Sequence, residues 1–255
     1  DLQCEAVARE LEARGAEPLL IRHDALDDGT PVSIVDGRYV YEGDDLTDVH
    51  AFYLRSISAP YAPKMERDGA LVLWDDWFER YMHQRERASF YVAWLLSLQE
   101  RGCRLVNPPH AASVLQYKPF QLHVLRSLGA QVPHTLISND PVAVEAFHAE
   151  VKDVIFKPLM GGAITQRLHE HLDDLPRVAA SPVIFQQRIE GDDLRVMLVG
   201  DEIVSSVAIE TPAQHLDFRA DPEYSGGNAT YRDVKLPKKI EALCRKAARA
   251  GGLAL

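Results

Sequence analysis

Two lysines, two arginines and a pair of adjacent glycines are the residues whose types and settings suggest chemistry in this sequence. Lys157 closes the apolar run Val154-Ile155-Phe156, so its ammonium is expected at the end of a strand, and Gly161-Gly162 follows within a few residues. Such a loop exposes backbone N–H groups, and with a cation beside them it can hold a polyphosphate. Lys118 precedes Pro119 at the expected start of a helix, where the partial positive charge of the helix end also favours an anion. Further on stands Phe185-Gln186-Gln187-Arg188-Ile189-Glu190-Gly191-Asp192-Asp193-Leu194-Arg195, in which alternation places Asp193, Arg195 and Met197 on one strand face. A carboxylate and a guanidinium so placed can serve a ribose hydroxyl and a phosphate, or form an ion pair at a sheet edge. A third cluster, Asp217-Phe218-Arg219-Ala220-Asp221, precedes Gly226-Gly227-Asn228. It reads either as a solvated loop, with Arg219 paired to Asp217 or Asp221, or as a functional one.

The elements that must position these residues follow from periodicity and punctuation. A helix is expected over Leu2–Arg14 with Gly15 as its stop, then a short strand at Pro18-Leu19-Leu20-Ile21. Val32–Val35 and Tyr39–Tyr41, joined by Asp36-Gly37, predict a hairpin. Ala51–Leu54 is a buried strand ending at Arg55, and a long helix runs from about Asp75 to Arg101, followed by the strand Arg104–Val106. A second region begins near His110. Its helix from Pro119 ends at Gly129, a strand covers Val132–Ile137, and a helix over Asp140–Val151 has Ser138 or Asn139 near its cap. Strands follow at Val154–Lys157, Val183–Ile189, Leu194–Val199 and Ile203–Ile209, then a long polar loop, a basic helix over Pro237–Ala250, and a new strand at the end. The class is α/β (α+β).

Composition narrows the function. The chain has 255 residues, 46% apolar and 26% charged, which excludes a disordered or collagen-like chain. Its 38 acidic against 28 basic residues give a formal charge of −10, which disfavours nucleic acid as a partner. No apolar stretch approaches the roughly 18–20 residues of a membrane span, so no membrane partner is expected. Cys4, Cys103 and Cys244 are far apart and odd in number; they read as three buried thiols and fit a reducing cytoplasm. The start at Asp1 lacks a methionine, so native residues are expected upstream. There is no P-loop signature, no G-x-G-x-x-G opening a helix and no G-x-S-x-G elbow. His169-Glu170-His171 has the wrong spacing for a helical metal pair and reads as a solvated triplet.

In order and spacing these parts resemble the ATP-grasp superfamily, in its ribosomal-S6-modifying (glutamate ligase) and graspetide-ligase-like branch. The resemblance rests on Asn107-Pro108-Pro109, Tyr117-Lys118-Pro119, Val132-Pro133-His134-Thr135, Ile155 to Ala163, Gln186 to Ile189 with Gly191, Asp193, Leu194 and Arg195, and Phe218 to Asp221 before a Gly-Gly pair. It covers roughly Val106 to Leu255. It implies a pre-ATP-grasp α/β domain over 1–108, whose first strand is expected upstream of Asp1, and an ATP-grasp region over 109–255 made of two α+β subdomains that clasp a nucleotide.

The roles that the resemblance implies are these. Lys118 and Lys157 would bind the phosphates of ATP, and Gly161, Gly162 and Ala163 would be the loop that covers them. Gln187 and Arg188 match the hinge whose backbone meets adenine, with Ile189 packing beside it, and Asp193 is the ribose-side carboxylate. Arg195 and Arg219 would be the catalytic cations, stabilising phosphate and a developing acyl phosphate. Asp221 stands at a nucleotide-site position where many members carry asparagine. The Mg²⁺ (or Mn²⁺) ligands are expected beyond Leu255, and Arg55 is a candidate for holding the substrate carboxylate.

The function so implied is a cytoplasmic, ATP-dependent carboxylate–amine ligase. It would form an amide or peptide bond through an acyl phosphate, with an amino acid or peptide as acceptor. The alternative is a non-catalytic ATP-binding regulatory or partner-docking protein on the same fold. Both substrates, and whether the chain self-associates, stay open at this level.

Overall fold

The computed structural model describes residues 2–21, 30–55, 64–67, 70–73, 75–114, 116–160, 163–212 and 215–254. The chain divides into two compact units, Asp1–Ala112 and Ser113–Leu255.

The first unit opens with helix α1 (Leu2–Ala13) and a three-stranded antiparallel sheet of β1 (Val32–Val35), β2 (Arg38–Tyr41) and β3 (Asp44–Asp45). The hairpin turn has Asp36 at φ 49° and Gly37 at φ 80°. Two successive left-handed residues suit the twist of the flanking strands, as the Asp-Gly pair predicts. Next come β4 (Ala51–Tyr53), the hairpin β5 (Lys64–Arg67) and β6 (Ala70–Leu73), helix α2 (Trp77–Glu100) and β7 (Arg104–Val106), which pairs in parallel with β4. Tyr91, Trp94, Leu95 and Leu98 recur at helical spacing and are the buried stripe of α2. They pack against Tyr39, Tyr41, Leu54, Cys103 and Leu105.

Pro18–Ile21, expected as a strand, forms none. Leu19 and Leu20 stand about half exposed, at 46% and 48%, while Ile21 packs against the core. A strand exists only through its ladder, and among the described residues this segment has no partner strand. The thiols also depart from expectation: Cys103 is buried, but Cys4 and Cys244 are only partly so. Burial pushes the Cys103 and Cys244 thiols up. No described helix is long and apolar enough to cross a membrane.

Helix α3 (Pro109–Val114) runs across the boundary, and the second unit continues with α4 (Lys118–Ser127), β8 (Thr135–Ser138), α5 (Pro141–Val151), β9 (Val154–Lys157), β10 (Gln166–Arg167) and two 3₁₀ segments, Leu168–Glu170 and Leu172–Ala180. With β11 (Val183–Gln187) they build an antiparallel sheet of order β10-β9-β11-β8. β8 begins at Thr135 rather than Val132, because Pro133 has no N–H for the ladder and the Thr135 hydroxyl donates back to its carbonyl at 2.8 Å. The cap of α5 is Asp140, not Ser138 or Asn139: its carboxylate accepts from the Val142 N–H at 2.9 Å. The Ser138 hydroxyl oxygen instead accepts from the Asp140 N–H.

Cross-strand partners share a face of an antiparallel sheet. By the observed register, Val154, Phe156, Leu136, Val183 and Phe185 line one face. That face is covered by Val144 and Phe147 of α5 and by Leu168, Leu175 and Val178 of the 3₁₀ segments. Ile155, Lys157, Ile184 and Gln186 therefore belong to the other face.

A second antiparallel sheet has the order β12 (Asp193–Val199), β13 (Glu202–Ile209), β14 (Tyr231–Asp233), with a register shift after Met197. The polar loop before β14 is partly structured, holding a 3₁₀ turn Phe218–Ala220 and the short helix α6 (Pro222–Ser225). Helix α7 (Lys238–Ala250) follows β14 and packs near β12 and α4. Where a new strand is expected after it, no strand forms through Ala254, though the Ala254 carbonyl accepts from the Gly200 N–H at 2.8 Å.

Candidate functional site

Lys157 is the last residue of β9, on the sheet face turned away from the core. The sequence forces this: in Val-Ile-Phe-Lys the first and third residues take the packed face, so the second and fourth take the other. Lys118 begins α4, and its ammonium donates to the carbonyls of Pro158 at 3.0 Å and Leu159 at 2.8 Å. It thus reaches across to the stretch that leads into Gly161-Gly162, which itself lies outside the described residues. Ala163, just beyond, is exposed.

Burial lowers the proton affinity of Lys118, and the positive charges of Lys157 and Arg219 lower it further. Burial is also the largest cause at Lys157, followed by Arg219, against the opposing pull of Asp217 and Asp193. A helix start, a strand end and a loop separated in sequence therefore deliver three mutually repelling cations to one neighbourhood. Such a group is suited to an anion of several charges.

The carboxylates are sorted by environment. Burial pushes Asp193, the first residue of β12, up, and the nearby Asp217 charge adds to this. Burial would do the same to Asp217, but hydrogen bonds from the Arg219 side chain and from the backbone N–H groups of Thr165 and Arg219 hold it well below the usual carboxylate range. Its partner Arg219 is held above its ordinary value by the same pair. The Arg219–Asp217 pairing anticipated for a plain loop is therefore present, but it is not a surface pair. Asp217 is 6% exposed, whereas the Arg219 side chain keeps 49% exposure.

Asp193 and Arg195 share a face of β12, as alternation requires, opposite Ile209 and Val207 of β13. The Arg195 Nη2 donates to the Tyr224 hydroxyl at 3.3 Å, and its guanidinium lies 5.9 Å from the Phe218 ring centre. Arg219 stands 5.8 Å from the same ring, and Tyr224 meets Phe218 edge-on at 4.6 Å. Two guanidinium groups thus share one aromatic pair. Phe218 and Tyr224 were not legible as site residues; only the aromatic between Asp217 and Arg219 hinted at it.

At the end of β11 the Gln187 N–H donates to the His134 carbonyl and the Arg188 N–H to the Asp153 carbonyl, both at 2.9 Å. Those two donors are committed within the protein, which leaves a hinge ligand the carbonyl oxygens and the residues from Ile189 on. Ile189 is 61% exposed, a large apolar side chain with surface to offer. Gln186, buried, donates to the Thr135 hydroxyl at 3.0 Å and so ties β11 to β8. Asp221 is buried and caps α6 by accepting from the Glu223 N–H at 3.0 Å. Arg55, in the first unit, is exposed one residue beyond Leu54.

His171 meets Phe156 edge-on at 5.4 Å. Among the described residues no three His, Cys, Asp or Glu side chains converge to hold a metal ion.

A family model for the ATP-grasp domain matches residues 117–254, more than half of the chain. The chain belongs to the ATP-grasp family. Among solved ATP-grasp structures, the ligase PsnB complexed with a minimal precursor is 34% identical, with a TM-score of 0.79 over 100% of this chain and 80% of that one. The macrocyclase MdnC of Microcystis aeruginosa, bound to its precursor peptide MdnA, is 25% identical, with a TM-score of 0.75 over 97% of this chain and 79% of that one. Among curated proteins, a glutathione synthetase of Mesorhizobium japonicum is 34% identical over 127 residues, 45% of this chain. The match spans 39% of that protein's length. The ATP-grasp model begins one residue before Lys118 and so takes in every cation of the cluster.

Proposed function

We propose that this chain is an ATP-dependent carboxylate–amine ligase, forming an amide or peptide bond by way of an acyl phosphate. The observation that carries the reading is the gathering of three cations: the Lys118 ammonium bonds the Pro158 and Leu159 carbonyls just after Lys157, and burial first, then the neighbouring positive charges including Arg219, lower the proton affinity of both lysines. A bound triphosphate would relieve that repulsion. In this reading Lys118 and Lys157 hold phosphates, and the chain from Gly161 to Ala163 covers them. Adenine lies beside Ile189, near the carbonyls of Gln187 and Arg188, and Asp193 takes the ribose. Asp221 acts indirectly, by shaping the turn that carries Arg219.

Attack of a substrate carboxylate on the terminal phosphorus expels ADP, and attack of an amine on the acyl carbon then expels phosphate. Phosphoryl transfer of this kind needs positioning and charge neutralisation more than covalent help from the protein. Arg219, with Arg195 beside it, supplies cationic N–H donors where charge grows on the transferring oxygens.

ATP use by the family supports the nucleotide, and the likeness to ligases solved with precursor peptides supports a peptide or amino-acid substrate. Arg55 is proposed as a contact for the substrate carboxylate on its sequence position alone. Magnesium is proposed as the companion of ATP, since a PsnB structure was solved with Mg and ADP. A cytoplasmic setting belongs to the same reading.

The test is ADP release by the full-length protein across a panel of amino acids and peptides. Acceptor-dependent release establishes the ligase. Tight nucleotide binding without release under any acceptor favours a regulatory nucleotide-binding protein instead.

A further inference from the structure

Asp217 is a buried carboxylate for which the ligase reading has no task, and its bonds are unusual in what they join. Its Oδ1 accepts from the Arg219 backbone N–H at 3.1 Å and from Arg219 Nε at 2.8 Å. Its Oδ2 accepts from Arg219 Nη2 at 2.5 Å and from the backbone N–H of Thr165 at 2.9 Å. Both oxygens are thus engaged by the planar fork of one guanidinium, which fixes the plane as well as the position of that group. The pair uses two of the five N–H donors that a guanidinium owns, and three are left for an anion. The Thr165 bond spans 52 positions in the sequence and ties the same carboxylate to the chain just after Gly161-Gly162.

We infer that Asp217 is a positioning residue: it aims the Arg219 guanidinium at the transferring phosphate, and its bond from the Thr165 N–H holds the carboxylate itself in place. The inference rests on the nucleotide reading of the site. It also carries a sign that separates it from a plain ion pair. A carboxylate beside a polyanion repels it, so removing a merely charge-balancing Asp217 would leave Arg219 free and tighten anion binding. Removing a positioning Asp217 weakens the complex in which Arg219 must be well aimed, because misplacement of about 1 Å can cost on the order of 10²-fold.

The experiment is calorimetry on the full-length protein with Mg²⁺ and two probes, a non-hydrolysable ATP analogue and ADP with aluminium fluoride, the latter mimicking the phosphoryl group in flight. The variants are Asp217→Asn, which is isosteric and keeps one acceptor oxygen, Arg219→Ala, the double variant, and Arg219→Lys. Asp217→Asn is expected to keep analogue affinity within a few-fold while losing roughly 10- to 100-fold for the mimic, and the double variant to be no worse than Arg219→Ala. Mimic binding that is unchanged or tighter in Asp217→Asn overturns the inference, as does a double variant with multiplied losses. Equal loss for both probes overturns it too. Should Asp217→Asn fail to fold, Arg219→Lys decides, because a lysine keeps the charge but cannot engage both carboxylate oxygens in a fork. Full mimic affinity in that variant contradicts the inference. If the wild-type chain binds neither probe, the nucleotide reading fails and takes the inference with it. If Arg219→Ala alone weakens the mimic, the reading stands and the role of Asp217 falls.

Discussion

Lys118 and Lys157 carry ammonium groups whose proton affinity is lowered, first by burial and then by neighbouring cations. An anion bound between them raises that affinity again, so binding and protonation are linked. The linkage fixes a sign. Nucleotide affinity is fully present at pH values below the lowered lysine values and is lost as pH rises through the higher values of the bound state. Between the two, binding takes up protons. Calorimetry in alkaline buffers of different ionisation enthalpy measures this uptake, and it should shrink in Lys157→Ala; proton release in that range contradicts the assignment. Arg219 belongs to the same scale but to a different step. Contacts strongest in the transition state lower kcat when removed, and losing one such donor typically costs about 10² to 10³ in rate. Arg219→Ala should therefore keep ATP affinity within a few-fold while ADP release collapses, with steady-state kinetics as the check. Near wild-type turnover would reduce Arg219 to the loop residue that its bond with Asp217 could equally support.

At the scale of elements, Asp140 shows how a local rule is both readable and easy to misplace. It caps α5 directly before Pro141, and replacing such a cap with alanine costs about 0.5–2 kcal/mol. Denaturant unfolding of Asp140→Ala should show that loss in the second unit while nucleotide affinity stays unchanged, since the side-chain hydrogen bonds at the cap run to Ser138 and Val142, neither of them a proposed site residue. The position of Lys157 was legible for a simple reason: alternation in Val154–Lys157 depends on four neighbouring residues and nothing else. The hairpin at Asp36-Gly37 was legible because two left-handed residues are needed and the dipeptide supplies them. Pro18–Ile21 was not, because a strand needs a partner that no local pattern reveals. Asp217 was legible only as a neighbour of Arg219. Its weight comes from burial and from Thr165, a residue 52 positions away that is joined through its backbone and so leaves no side-chain signature. The committed N–H groups of Gln187 and Arg188 escaped for the same reason, since their acceptors are carbonyls on other segments.

At the scale of the whole molecule, an acidic chain of net charge −10 gathers lysines and an arginine from distant segments of one unit around a proposed anion site. A ligand that binds only the folded state stabilises it by mass action, about 2.7 kcal/mol at a hundredfold excess over Kd. For a chain of this size each kcal/mol moves Tm by roughly 2–4 °C. Thermal unfolding with a saturating ATP analogue should therefore shift upward by several degrees, with Lys157→Ala showing less shift at the same concentration. The central claim is that Lys118 and Lys157 hold the phosphates of a nucleotide triphosphate, and titration calorimetry of an ATP analogue with Mg²⁺ against the wild-type and Lys157→Ala proteins tests it most directly. Loss of a hydrogen bond between charged groups costs on the order of 1.5–3 kcal/mol, so affinity is predicted to fall by roughly 10- to 150-fold in the variant. Affinity that is the same in both proteins would contradict the account.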